Sequence, residues 1–371
     1  MQYRKYQNEA IDFLCSIRRG ILKAPAGAGK THIAASALSR CLDGRGERAS
    51  VEIMVNTREQ VDQMETACAR FDIASKCDLQ IYCAAGAPIG TNPDLIIVDE
   101  CHRSSAATWA AKIRSCDGGR WGLSATPFDD KDDEQIAIIK ELFGERMHTI
   151  ERAELVENGH LAKARVIWRD VICNGVADRI EALAAELIEK RRRKMPYMFR
   201  NEESERKQVN QSRWQACQQV GVWENESRDY AIISEANRRV SDGHHVIVLI
   251  GKIEHGERLI AAIPGAVLCY SGMGAKRRRE ALASFRSGAI RCLVSSSMLD
   301  EGFDAPIADC LILASAGKSQ RKAIQSTGRV LRPYEWQESG LIIDFTDRFH
   351  PMLARQAGKR RAIYNTLNYE Q

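Results

Sequence analysis

The chain of 371 residues contains no run of 18 apolar residues, which excludes a membrane-spanning helix. Its opening, MQYRKYQNEAIDFL, has no apolar core of the kind a secretion signal needs. None of its 12 cysteines forms a C-x-x-C pair, so neither a zinc nor an iron–sulfur framework is expected. They stand singly, many of them in apolar runs, as small buried thiols do. A reducing, cytoplasmic setting is the expectation. No P-D…(D/E)-x-K nuclease pattern, solenoid repeat or low-complexity tail is found. Charge of one sign is also scarce: the net is only +5, so local clustering carries more than the total.

The most informative stretch is Ala24-Pro25-Ala26-Gly27-Ala28-Gly29-Lys30-Thr31. It follows a short apolar run and precedes an Ala-rich helical pattern starting at His32. A flexible loop between strand and helix, closed by Gly-Lys-Thr, cradles phosphates with backbone N–H groups and the helix N-terminus. Lys30 is suited to the β/γ-phosphates and Thr31 to Mg²⁺. Ala24 stands where the usual pattern has its first glycine.

Eleven short apolar runs read as strands: 20–22, 51–56, 79–83, 95–99, 120–124, 166–171, 245–250, 266–270, 291–295, 310–314 and 341–345. Helical periodicity separates many of them, which argues for parallel sheets covered by helices. The alternation breaks at about 178–240, a polar, helical stretch without a convincing strand. Within it, Lys190–Arg213 holds nine Lys/Arg against three Glu. The expectation is an α/β chain of two domains, 1–165 and 166–371, the second carrying a basic helical insertion near its start.

Asp99-Glu100-Cys101-His102 closes the run 95–98, where carboxylates of an open α/β sheet meet ligands. Asp99 is suited to Mg²⁺, through water, and Glu100 to polarising an attacking water. Ser124-Ala125-Thr126-Pro127 follows the next strand, and its hydroxyls could bond those carboxylates. Gln325-Ser-Thr-Gly-Arg329-Val-Leu-Arg332 places two arginines on one helix face, suited to phosphate oxygens as an arginine finger.

The order of these four segments resembles the superfamily 2 helicases, over nearly the whole chain. DECH in place of DEAD, and GRVLRP in place of GRxGR, look most like the XPB, phage UvsW and restriction-motor group. The resemblance implies two tandem RecA-like domains that clamp ATP and Mg²⁺ between Lys30 and Arg329/Arg332. It implies that Arg4 and Gln7 of RKYQ read adenine, and that Gly302 and Asp304 face the ribose. It further implies that Thr57, Arg58 and Ser296 hold a nucleic-acid backbone. Ser296 stands where Thr is common and keeps the hydroxyl. There is no clear RED loop of the XPB type, so damage recognition is not implied.

The expected function is an ATP-dependent DNA helicase or translocase in repair, recombination or replication, acting as a monomer on single-stranded or branched DNA. Three alternatives stay open: an RNA helicase, the motor of a nuclease or restriction complex, and an ATP-gated clamp that does not unwind. Arg191, Arg192 and Arg193, interleaved with Tyr197, Phe199, Trp214 and Trp223, suit a phosphate track with stacking side chains. The same insertion could instead pack its own small core or meet a protein partner. The basic clusters Lys276–Arg279 and Lys359–Arg361 stay open between solvated surface and DNA contact.

Overall fold

The computed structural model describes residues 3–44, 46–88, 90–129, 131–161, 163–270, 272–296, 307–316 and 339–371. The chain divides into two compact units, Met1–Leu161 and Ala162–Gln371. Each is built on a six-stranded parallel sheet, the RecA-like arrangement the sequence order implies.

Unit 1 runs α1 (Lys5–Cys15), β1 (Arg19–Lys23), α2 (Lys30–Leu42), β2 (Ala49–Val55), α3 (Arg58–Ala69), α4 (Ile73–Lys76), β3 (Cys77–Cys83), β4 (Leu95–Asp99), α5 (Ala107–Arg114), β5 (Gly119–Ser124), α6 (Asp133–Phe143), β6 (Met147–Thr149) and α7 (Arg152–Glu157). The strand order is β3-β2-β4-β5-β1-β6. Ile96, Ile97 and Val98 of β4 are fully buried, because helices cover both faces of a parallel sheet. One face packs on α1 and α2 through Leu14, Ile33 and Leu38. The other packs on α5 and α6 through Ile113, Leu142 and Phe143. β6 escapes the sequence reading: Met-His-Thr is too short and too polar to read as a strand.

Unit 2 opens with β7 (Lys163–Asp170), three residues ahead of the expected boundary at 166. It continues with α8 (Val176–Lys194), α9 (Glu202–Ala216), a π-helical turn (Cys217–Trp223) and α10 (Glu226–Ser241). Then follow β8 (Val246–Leu249), α11 (Ile253–Ala262), β9 (Val267–Cys269), α12 (Ala275–Arg286), β10 (Cys292–Ser295), β11 (Cys310–Leu313), β12 (Ser339–Thr346) and α13 (Pro351–Thr366). The strand order is β7-β12-β11-β8-β10-β9.

The inserted helices bury a small core of their own, in which Ile180, Ala184, Cys217 and Val222 meet Leu353 of α13. Trp214 and Trp223 pack against it, whereas Tyr197 at the α8–α9 turn is 56% exposed. Arg360, inside the basic cluster 359–361, is no surface cation. It lies buried and makes a two-pronged bond to Asp344 at 2.9 and 3.0 Å.

Candidate active site

The register of unit 1 explains why distant segments meet. Lys23 pairs with Ser124, and Leu123 with Asp99. The loop after β1, the carboxylates ending β4 and the hydroxyl ending β5 therefore share the C-terminal edge of one sheet, where open α/β folds bind ligands. The backbone N–H of Ala24 donates to Ser124 O at 3.0 Å, tying the phosphate loop to the neighbouring strand.

Gly27 and Gly29 take φ of +88° and +83°, conformations that L side chains rarely adopt. Between Pro25 and Thr31 the chain thus alternates buried Ala26, Ala28 and Lys30 with partly exposed Gly27 and Gly29. Gly29 caps α2 and Lys30 is its first residue. Lys30 Nζ donates to Ala24 O across the loop at 3.0 Å. Thr31 and His32 follow in the first turn, both partly exposed. The His32 ring lies 5.2 Å from Phe71 and 6.0 Å from Tyr3. Burial and the Arg70 charge hold it below its usual pKa.

Helix α1 meets the loop at Gln7 and Tyr6. Gln7 Oε1 accepts from Arg4 N at 3.0 Å, which leaves the amide nitrogen to face away. That Nε2 lies 3.6 Å from where a Cβ on Gly29 would sit. Tyr6, to which the sequence reading gave no role, donates its hydroxyl to Ala28 O at 3.3 Å.

Asp99 is only 8% exposed, and its Oδ1 accepts from Glu100 N at 3.0 Å. Glu100 takes the left-handed φ of +53°, uncommon outside glycine and the kind of strain that clusters at functional sites. Its Oε2 lies 3.3 Å from His102 Nδ1, and the same nitrogen lies 3.2 Å from Ser124 Oγ. Ser124 Oγ also accepts from Thr126 N at 3.1 Å. A polar chain Glu100–His102–Ser124 results. The expectation was a hydroxyl bonded to the carboxylates; Ser124 instead meets His102, which stands between it and Glu100. Beneath it, Cys101 is fully buried, and its thiol is pushed well up by burial and by Glu100 and Asp99, with Lys30 pulling the other way.

The remaining expected positions are scattered. Thr57 caps α3: its hydroxyl accepts from Gln60 N at 3.3 Å, while Arg58 is exposed at the first helical position. Ser296 follows β10, partly exposed, its N–H donating to Cys269 O. Arg191 bonds Gln208 and Gln215. Arg192 pairs with Glu205 at 2.8 Å and lies over the Phe199 ring, and Arg193 pairs with Glu189. Gly302, Asp304, Gln325, Arg329 and Arg332 lie outside the described residues.

Two protein families match the chain. "Helicase conserved C-terminal domain" matches residues 229–334, and "Type III restriction enzyme, res subunit" matches residues 1–83. A protein named as a helicase in Sulfolobus islandicus filamentous virus is 24% identical, covering 99% of this chain and 68% of the relative. The DNA 3′-5′ translocase XPB2 of Sulfurisphaera tokodaii is 23% identical, covering 94% and 82%. A protein named Rad25, a DNA 3′-5′ helicase, in Halobacterium salinarum is 27% identical; there the chain spans 52% of the relative's length. Among solved structures, the Pyrococcus furiosus Hef helicase domain superposes with a TM-score of 0.59 at 14% identity, covering 98% of each chain.

Proposed function

We propose, from the chain's membership of the superfamily 2 helicases of XPB and restriction-motor type, that it hydrolyses ATP to move along or remodel DNA. The observation that carries this reading is the Glu100–His102–Ser124 chain at the mouth of the phosphate loop. A carboxylate held by a histidine is positioned to polarise water, and the hydroxyl of the adjoining strand senses that it is there.

The donors present fit a magnesium nucleotide. Thr31 and Asp99 offer hard oxygens at one sheet edge, the donor chemistry Mg²⁺ takes alongside waters and phosphates. Mg²⁺ would be held by Thr31 and, through water, by Asp99, and would neutralise phosphate charge. Backbone N–H groups from Ala26 to Thr31 bind phosphate oxygens. Lys30 exchanges its carbonyl partner for them. Gln7 reads the adenine edge. The resemblance assigns Gly302 and Asp304 to the ribose, and Gln325, Arg329 and Arg332 to the phosphates. Two domains of about 1–165 and 166–371 then grip and release a strand in alternation, through Thr57 and Arg58 in the first and Ser296 in the second. Preferential binding of ATP to the closed state drives that cycle.

The inserted helices supply a further grip. Arg191, Arg192 and Arg193 are already engaged within the insertion, so exposed Lys190, Lys194, Arg200, Arg206 and Lys207 offer the freer charge beside Tyr197. The substrate is single-stranded or branched DNA, and the setting is cytoplasmic repair, recombination or replication. Strand displacement on 3′- and 5′-tailed forks, with RNA forks as controls, tests the reading. ATP-dependent separation of DNA forks that vanishes in Lys30→Ala supports it. ATP turnover without separation of any fork favours a translocase or a motor that serves a partner nuclease. DNA-independent turnover overturns the reading.

A further inference from the structure

At the C-terminal edge of the unit 2 sheet, three strand ends converge. Ile250 N donates to Ser295 O at 2.9 Å, and Ser315 N donates to Leu249 O at 3.0 Å. The continuations of β10, β8 and β11 therefore lie side by side: Ser296, then Gly251 and Lys252, then Ser315. An aromatic ring arrives there from the insertion. The π-helical turn ends in Trp223, and such turns often mark functional positions.

The approach is close. A Cβ on Gly251 would sit 3.1 Å from Trp223 Nε1 and 3.4 Å from Ser315 Cβ. A side chain here would crowd the indole edge, which would have to give by a few tenths of an ångström. Two further contacts reach this residue, one at its backbone and one over its ring. Arg258 Nη2 donates to the Trp223 carbonyl, and Arg258 is itself held by Asp229 at 3.2 Å. Lys252 Nζ stands 5.5 Å from the ring centroid. The indole N–H donates to no acceptor among the described residues, although the ring is partly exposed.

We infer that Trp223 and Lys252 form a subsite for an unpaired nucleobase and its phosphate. The inference rests on the nucleic-acid reading above and adds to it a base-contacting residue that the insertion delivers to the sheet edge. The chemistry is that of a single-strand platform. An indole face takes any base, since every base has a π-face, and an adjoining ammonium takes the backbone. Lys252 now covers the ring. It gives up that position when a phosphate draws the ammonium away, and the base takes its place. The free indole N–H and the Ser296 hydroxyl are donors for the same nucleotide. A cation alone would bind duplex and single strand through phosphates without distinction; the aromatic ring gives preference for the unpaired strand.

Intrinsic tryptophan emission, titrated with oligothymidylate, tests this in the full chain. Wild-type emission should be quenched, and the quenching should be largely lost in Trp223→Phe, which removes this fluorophore and keeps a ring. Trp223→Ala should weaken oligothymidylate binding by about tenfold and leave the salt dependence of binding unchanged. Lys252→Met should instead lower the salt slope by about one. An abasic oligonucleotide should bind wild type and Trp223→Ala alike. Trp223→Phe retaining the full quenching, or Trp223→Ala weakening abasic and thymidine strands equally, overturns the subsite. If Trp223→Ala fails to fold, Trp223→Phe and Lys252→Met still decide. A wild-type chain that binds no oligonucleotide overturns this inference together with the nucleic-acid reading. Binding with no response at Trp223 overturns this inference alone.

Discussion

At the scale of single residues, the site is a set of groups whose neighbours define their jobs. Ser124 touches His102 and Thr126, not the carboxylates directly. Ser124→Ala should therefore slow DNA-stimulated hydrolysis by up to about tenfold, the worth of one hydrogen bond, with nucleotide affinity unchanged. Steady-state turnover beside a fluorescent-nucleotide titration reads the two separately, and a loss of affinity with intact turnover would contradict the relay. A second residue-scale case lies away from the site. Lys112 and Glu52 form an ion pair at 2.9 Å, both under 10% exposed. Burial raises the Glu52 carboxyl, but hydrogen bonds from Lys112, Thr91 and Tyr82 outweigh it and leave the group below its ordinary range. Lys112→Met strands a buried carboxylate and should cost about 3–5 kcal/mol in urea unfolding. Adding Glu52→Gln should restore much of that. Equal losses in single and double variants would show that the pair contributes nothing specific.

Local signals made much of this legible from sequence. Gly-Lys-Thr after an apolar run, and two carboxylates ending another, are patterns within ten residues. His102 was harder. Its role depends on the β4–β5 register, which sets Asp99 opposite Leu123 and brings Ser124 within reach. Arg360 misled in the opposite way, because a Lys-Arg-Arg run looks solvated until Asp344 is found beneath it.

At the scale of elements, the eleven expected strands all form, since continuous apolar runs between turn signals leave few alternatives. The insertion shows the limit of charge counting. Its surplus was visible, but which cations stay available depends on how α8 and α9 pack and pair. Neutralising Lys190, Lys194 and Arg200 to Gln should lower the slope of log affinity against log salt by about 2 to 3. Neutralising Arg191, Arg192 and Arg193 should lower it less, because these already pair within the insertion. Equal slopes for wild type and both sets would remove the insertion from DNA contact. The α10–α11 junction carries a pH dependence. His255 is fully buried, bonded to Asp229 at 2.8 Å and flanked by Arg228 and Arg258. Burial lowers its pKa more than Asp229 raises it. The unfolded chain therefore takes up a proton near the ordinary histidine value of about 6.5, where the native state resists it. Stability contributed by this neutral histidine is complete above that pH and declines as pH falls below it. Thermal unfolding from pH 7.5 to 5.5 should show the decline, and His255→Gln should flatten it; an unaltered slope in the variant would assign the effect elsewhere.

At the scale of the whole molecule, each unit has its own sheet: the edge of one carries the glycine-rich loop, and the edge of the other carries the strand ends beside Ser296, Lys252 and Trp223. This division was legible from the alternating pattern, and the break at 178–240 marked the insertion, because a helical pair with its own small core has no strand periodicity. The delivery of Trp223 to a sheet edge was not, since it depends on a π-helical turn and on the missing side chain of Gly251. The central claim is that the loop and carboxylates of unit 1 hydrolyse ATP in response to nucleic acid. Phosphate release by wild type and Glu100→Gln, each with and without single-stranded DNA, tests it most directly. The account predicts stimulation of wild type by DNA, and a fall in Glu100→Gln on the order of 10²-fold or more with nucleotide binding retained. Full stimulated turnover in Glu100→Gln, or a wild-type rate indifferent to DNA, would contradict it.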